Sequence, residues 1–382
     1  MSNSSILIML HCEQNTGYAI GPLEETFKQA ALLAGYSNEN ILWSYKSLNE
    51  PQERVFKLEY QSYEDAQKLE SLHKEYSIET VLAFDLPYPS IIGTTARKIG
   101  ISNVISYWGA SMSSINSGLK LAYKRFEWIF RRKHAPNLFI FESNSMLKTA
   151  THGRGVPKKH TAVIPLGVDT SIYYPKKDST YAHTLFNIPS NRRIIFYSGH
   201  MEERKGVRVL INAMLELERS NNLINFHLLI CGNKGTESEP YLSLLQNSNA
   251  IDHVTFAGYR NDIAELMRSS FLGAIASTGW DSFTMSSVEM MASGLPVIVS
   301  ELQGLKETIV PGECGEYIQP GNHTQLSQLI TEYANNPQKH QSHSLASRAR
   351  AINLFSKKNQ IMKISNAITK KSNHKINKLE VL

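Results

Sequence analysis

Cysteine is scarce in this chain. Cys12, Cys231 and Cys314 are the only three among 382 residues. The number is odd and no CxxC spacing occurs, so neither a disulfide framework nor a structural zinc site is supported. The three read as small core fillers that suit a reducing cytoplasm. Long apolar runs are also missing. No stretch approaches the ~18 apolar residues of a membrane span. The opening MSNSSILIMLHCEQ has no basic segment and only a short apolar run. It is expected to be a first β-strand rather than a signal peptide. The expectation is a cytoplasmic protein whose work at a membrane, if any, is on its inner surface. There is no GxxxxGK[ST] loop, no metal-ligand spacing and no RNP-like aromatic pattern. No Ser-His-Asp set or paired-carboxylate arrangement stands out.

What is present is a globular composition, 42% apolar and 19% charged. The length suits two domains of ~150–200 residues. The net charge of +6 permits an anionic partner without choosing among nucleotide, nucleic acid and acidic membrane. Short apolar segments at 6–10, 41–45, 80–84, 104–108 and 138–141 alternate with helical periodicity at 63–76, 90–99 and 115–132. Pro22 stands where a helix over 23–33 would start. The alternation restarts at Arg193, with strands at 194–197, 226–231, 254–257, 272–276 and 296–300. Helices separate them at 207–218, 262–269 and 285–292. This predicts an α/β protein with two Rossmann-like domains built on parallel sheets. The expected division is 1–168, a linker at 169–191 and a second domain at 192–352. Residues 353–382 are expected to form a helix returning to the first domain, then a basic tail.

Three stretches of the second half carry chemistry. In FYSGHMEERKG, a strand ends at a small residue and a helix begins just after Lys205. Lys205 and the unpaired N–H groups of a helix start suit a phosphate; a solvated loop is the bland account. In DSFTMSSVEMMASGLPVIVSE, Asp281 lies in a loop and Glu289 on the helix that follows. The backbone of Phe283, Thr284 and Met285 would face an anion. Glu289 sits between Val288 and Met290, where burial is costly unless the carboxylate is paired. A ribose diol offers two donors to one carboxylate. On the bland account Asp281 is a cap, at no cost, and Glu289 a solvated face, which its apolar neighbours count against. Glu307 lies in the turn GLKET. Tyr259, after the strand at 254–257, is also assigned to the donor side.

These residues resemble family 4 glycosyltransferases, retaining enzymes of the GT-B fold. Two acidic residues separated by seven others, then a small-Gly-x-Pro-Val run, form that family's signature. GHMEERKG and VIPLGVDTSIYYP match its phosphate loop and interdomain segment. The resemblance implies two domains facing each other across a cleft. It implies transfer of a sugar from a nucleotide diphosphate-sugar, with UDP favoured, to a saccharide or lipid-linked saccharide. Cell-surface polysaccharide synthesis is the implied setting, with no further cofactor and no metal. By position, Glu289 resembles the ribose anchor, Lys205 the diphosphate lysine, and Asp281 the acid near the transferred sugar. Glu307 falls in a supporting loop. The family has Glu at the Asp281 position, Arg at the His200 position and Asn at the Leu166 position. Arg204 is expected to compensate for His200. Nucleotide-sugar epimerisation on the same fold is an alternative, and a nucleic-acid-binding module a remote one.

On the acceptor side, Gly17 and Gly21 lie in a loop expected at 15–21, where the backbone would approach the diphosphate. Asp85 is expected either to accept a sugar hydroxyl or to cap a helix. Trp108 is expected to stack on a sugar or to fill a core. The stretch KLAYKRFEWIFRRKHA holds Lys120, Lys124, Arg125, Arg131, Arg132 and Lys133 against one acid, Glu127. It reads as a surface helix for anionic lipid or as a domain helix with one buried face. The tail from Lys357 carries seven lysines and one glutamate.

Overall fold

The computed structural model describes residues 4–14, 17–177 and 179–370, with the backbone alone at 17–19. The chain forms two compact units, residues 1–165 with 358–382, and residues 166–357.

The first unit is built from β1 (Ser5–Met9), α1 (Gly17–Leu33), β2 (Ile41–Tyr45), β3 (Val55–Lys57), α2 (Tyr63–Tyr76), β4 (Ile78–Phe84), α3 (Ile91–Lys98), β5 (Asn103–Trp108), α4 (Gly118–Arg131), β6 (Leu138–Phe141), α5 (Asn144–Thr151) and β7 (Thr161–Val163). Its seven strands run in the order β3-β2-β1-β4-β5-β6-β7, every neighbour parallel. Every residue of β1 and β5 is buried, as a parallel sheet covered on both faces requires. Serine caps set three helix starts: Ser62, Ser90 and Ser143 accept from the N–H groups of Asp65, Gly93 and Met146. The helix expected to begin at Pro22 begins at Gly17 instead. Pro22 sits in its second turn and forgoes one backbone bond there. Of the loop expected at 15–21, Asn15 and Thr16 lie outside the described residues.

The second unit comprises α6 (Tyr181–Phe186), β8 (Arg193–Ser198), α7 (Val207–Arg219), β9 (Phe226–Cys231), α8 (Glu239–Leu242), β10 (Val254–Phe256), α9 (Ile263–Arg268), β11 (Leu272–Ile275), α10 (Met285–Ala292), β12 (Val297–Ser300), β13 (Gly315–Ile318), α11 (His323–Asn335) and α12 (Pro337–Phe355). Its parallel sheet has the order β10-β9-β8-β11-β12-β13. The segment read as a linker, 169–191, lies inside this unit. Ala182 and Ile188 are buried in its core, and that apolar anchoring is why the stretch is not a free connector.

The helix expected within 353–382 is α13 (Lys357–Thr369), separate from the preceding α12. Ser356 is extended at the break. There Val168 N–H donates to Phe355 O at 2.7 Å and Lys357 N–H to Val168 O at 2.9 Å. A strand-like pairing of this kind demands extended backbone. α13 belongs to the first unit, where Ile364 and Ile368 join its core and Gln360 Nε2 donates to Tyr107 Oη at 3.1 Å. The basic tail from Lys371 lies outside the described residues. Among the described residues, no helix is long and apolar enough to cross a membrane.

Candidate active site

In an open parallel sheet, a crevice opens at the carboxyl ends of two adjacent strands whose crossovers leave in opposite directions. In the second unit that pair is β8 and β11. The loops that follow them are therefore neighbours, although far apart in sequence. Thr278 N–H donates to Arg204 O at 2.8 Å, and Arg204 Nη1 donates to Trp280 O at 2.8 Å. Gly206 closes the first loop with φ +77°, and a Cβ there would lie 1.8 Å from Ala276 O. Only glycine lets the loops approach so closely.

This approach brings Lys205 to Asp281. Their Nζ and Oδ2 are 3.1 Å apart. Ser277 Oγ donates to the same oxygen at 2.8 Å, and Thr284 Oγ1 donates to Oδ1 at 3.1 Å. Asp281 is only 4% exposed. Three donors offset the cost of burying its charge. Asp281 was expected near a transferred sugar; both its oxygens are instead turned inward and occupied.

Thr284 precedes α10, but its hydroxyl is committed to Asp281. No side chain caps the helix. Its first N–H groups and the positive end of its dipole are left for an anion. Ser286 Oγ lies 2.6 Å from Ser198 Oγ and pins the first turn to the end of β8. Glu289, three residues on, shares that helix face. It is half-buried by surface area, yet the surrounding protein raises its carboxyl to about 7, against the pull of a Tyr173 hydrogen bond. It is thus not the solvated face residue of the bland account.

The other expected donor-side residues are placed as follows. Phe283 stacks edge-on against Phe355 at 5.6 Å, so its side chain is core and only its backbone is available. Met285 is partly buried against the same core. His200 is exposed, and its carbonyl accepts from Tyr197 Oη at 2.8 Å. Arg204 pairs with Glu202 at 2.6 Å, so its charge is already partly answered. Glu307 lies in the turn after β12, where its carbonyl accepts from Arg350 Nη2 at 3.0 Å. Tyr259 follows β10, two strands from β8, and is exposed.

The first unit has its own crevice, between β1 and β4. Gly17 follows β1 and opens α1. Asp85 directly follows β4 with φ +52°, and its Oδ1 accepts from Gly109 N–H at 2.9 Å. It caps no helix, since Ser90 caps α3. Burial raises its carboxyl to about 6, although backbone N–H groups of Gly109 and Ala110 and the nearby His11 pull it down. Trp108 is a core aromatic: it is 7% exposed and stacks on Phe141 at 6.5 Å, so it offers no open face to a sugar.

Glu142, missed from sequence, lies just after β6 and is 5% exposed. Burial and then the charge of Asp85 raise it to about 8. The one available signal was an acid directly following the apolar run LFIF. A carboxyl raised in the folded state favours folding below its unfolded pKa, and that contribution is lost as pH rises through the folded value. Glu142→Gln should therefore raise the unfolding midpoint at pH 8.5 but not at pH 4.5, with a difference worth at least about 2 kcal/mol. Thermal melts at the two pH values check this. Equal shifts at both would show that Glu142 is not held neutral.

Residues 182–351 match the family described as Glycosyl transferases group 1. Mannosylfructose-phosphate synthase of Agrobacterium fabrum is 24% identical over 209 residues, 51% of this chain and 46% of that protein. N-acetyl-alpha-D-glucosaminyl L-malate synthase of Bacillus anthracis is 26% identical over 200 residues, 52% of this chain and 50% of that protein. The matched stretch thus spans about half the length of these curated relatives. Among solved structures, a glycosyltransferase from Rickettsia africae has a TM-score of 0.78 at 18% identity, covering 97% of this chain and 100% of that one. Anabaena HepE in complex with UDP has a TM-score of 0.72 at 18% identity, covering 96% and 99%. The fold is GT-B, with two Rossmann-like domains.

Proposed function

We propose, from the match of residues 182–351 to the group 1 glycosyl transferases, that the protein transfers a sugar from a nucleotide diphosphate-sugar to a hydroxyl of a saccharide or lipid-linked saccharide. The observation that carries this reading is the Lys205–Asp281 pair at the β8/β11 crevice, beside the uncapped start of α10. Lys205 and the α10 N–H groups would stabilise the diphosphate as it departs. Glu289 would accept both ribose hydroxyls. Asp281 acts as a positioning residue for Lys205.

In this reading the bond from the anomeric carbon to the diphosphate oxygen breaks. The acceptor oxygen bonds to that carbon on the face the diphosphate leaves, which retains configuration. The acceptor proton passes to the departing phosphate oxygen. UDP is the favoured donor base, supported by the UDP held in the HepE structure. Synthesis of cell-surface polysaccharide is the setting that fits such an acceptor.

The test is thermal stabilisation and hydrolysis across a panel of nucleotide sugars. At least one, UDP-linked first, should stabilise the protein. Silence across the panel would sink the reading. Glu289→Ala should weaken the responding donor by about 10- to 100-fold, the effect of losing a charged hydrogen-bonding partner. A diol prefers the ionised carboxylate, so donor affinity should fall as pH drops through about 7. Glu289→Gln should remove that pH dependence. An unchanged affinity-pH profile in Glu289→Gln would remove Glu289 from the ribose site.

A further inference from the structure

An amphipathic helix on a globular unit ordinarily turns its apolar face inward. α4 does the reverse. Trp128 is its buried anchor, packed against Tyr88 and Phe139. Leu119, Tyr123, Phe126 and Phe130 recur at spacings of four, three and four. At 3.6 residues per turn they occupy one stripe about 60° wide. That stripe faces away from Trp128. Leu119 is 90% exposed, Tyr123 63%, Phe126 58% and Phe130 62%. The rings of Phe126 and Phe130 touch edge to face at 4.8 Å. Scattered exposed apolar residues need no explanation, but four aligned on one helix face do.

Charge borders the stripe on both sides. Glu127, the one acid of α4, is spent on Lys124 at 2.8 Å and Arg131 at 3.2 Å. On the other flank a groove of about 640 Å³ is lined by Arg125, Arg132, Lys148, Lys158 and Lys159. Among the described residues, no carboxylate pairs with any of these five.

We propose that α4 docks the first unit on an anionic lipid bilayer. Leu119, Tyr123, Phe126 and Phe130 enter the acyl boundary, and the Arg125–Arg132 groove takes headgroup phosphates. The two features act together. The apolar stripe contributes burial that salt does not screen, and the basic flank selects membranes by charge. A second copy of the chain would cover the stripe but would set two uncompensated basic grooves near each other. Charge complementarity therefore favours the bilayer. This goes beyond the transfer reading and is independent of donor binding.

The experiment is cosedimentation of the full chain with phosphatidylcholine vesicles, with and without phosphatidylglycerol. Wild type should bind only the anionic vesicles. Phe126→Ser/Phe130→Ser and, separately, Arg125→Glu/Arg132→Glu should each weaken binding by about tenfold or more. All substituted positions are exposed, so thermal midpoints should stay near wild type, and donor-induced stabilisation should be unaffected. Equal binding to neutral vesicles would overturn the proposal. So would undiminished binding by both variants, which would move the contact to the lysines of the tail. Light scattering supplies the last arm: a wild-type dimer made monomeric by Phe126→Ser/Phe130→Ser would assign the stripe to a second copy instead.

Discussion

Replacing Lys205 with methionine should lower transfer to the responding donor by about 10²- to 10³-fold, the usual effect of removing one electrostatic stabiliser of a developing charge. The same change should destabilise the second unit by roughly 2–3 kcal/mol, because it strands a buried carboxylate. Ser277 and Thr284 still donate to Asp281, which keeps the cost below that of a wholly orphaned charge. The two effects separate in Lys205→Met/Asp281→Asn. Removing both charges should recover most of the stability and none of the activity. Denaturant melts and turnover on the same preparations give both readouts. Recovery of activity in the double variant would show that Lys205 serves Asp281 rather than the diphosphate. Full stability in the single variant would show that the pair is not buried in solution.

Gly206→Ala should destabilise the protein by about 3 kcal/mol or more. Two causes add. At φ +77° any side chain is strained, which for alanine costs about 1–2 kcal/mol. The new methyl would also lie 1.8 Å from Ala276 O, and backbone is what must move. Gly235→Ala is the control. Its φ is +47° and nothing lies within 4 Å of the added carbon, so only the conformational cost applies. If both variants melt alike, the close approach of the two loops does not exist in solution. If Gly206→Ala folds at reduced stability, donor-induced stabilisation should fall as well, because Lys205 is the adjacent residue.

Much of the scaffold was legible in sequence because strands and helices are local. The runs at 41–45, 138–141 and 226–231 and the helices at 63–76 and 285–292 have the observed bounds. Strand β3 escaped notice because it is three residues long and only partly buried. Ser356 broke the last helix because Val168 pairs beside it, nearly 190 positions away. No local pattern carries that information.

The two units' parallel α/β character and the acidic motif with its upstream lysine were determined by the sequence alone. Apolar periodicity and short motifs are properties of neighbouring residues. Tertiary structure alone decided which groups meet. It joined Lys205 to Asp281 by placing β8 beside β11. It turned Asp281 inward and raised Glu289 by burial. It also withdrew Trp108 into the core and exposed the apolar side of α4. Each outcome depends on strand order and on which face of an element finds a neighbour. Those are relations between distant segments, and a linear pattern fixes only what each segment offers.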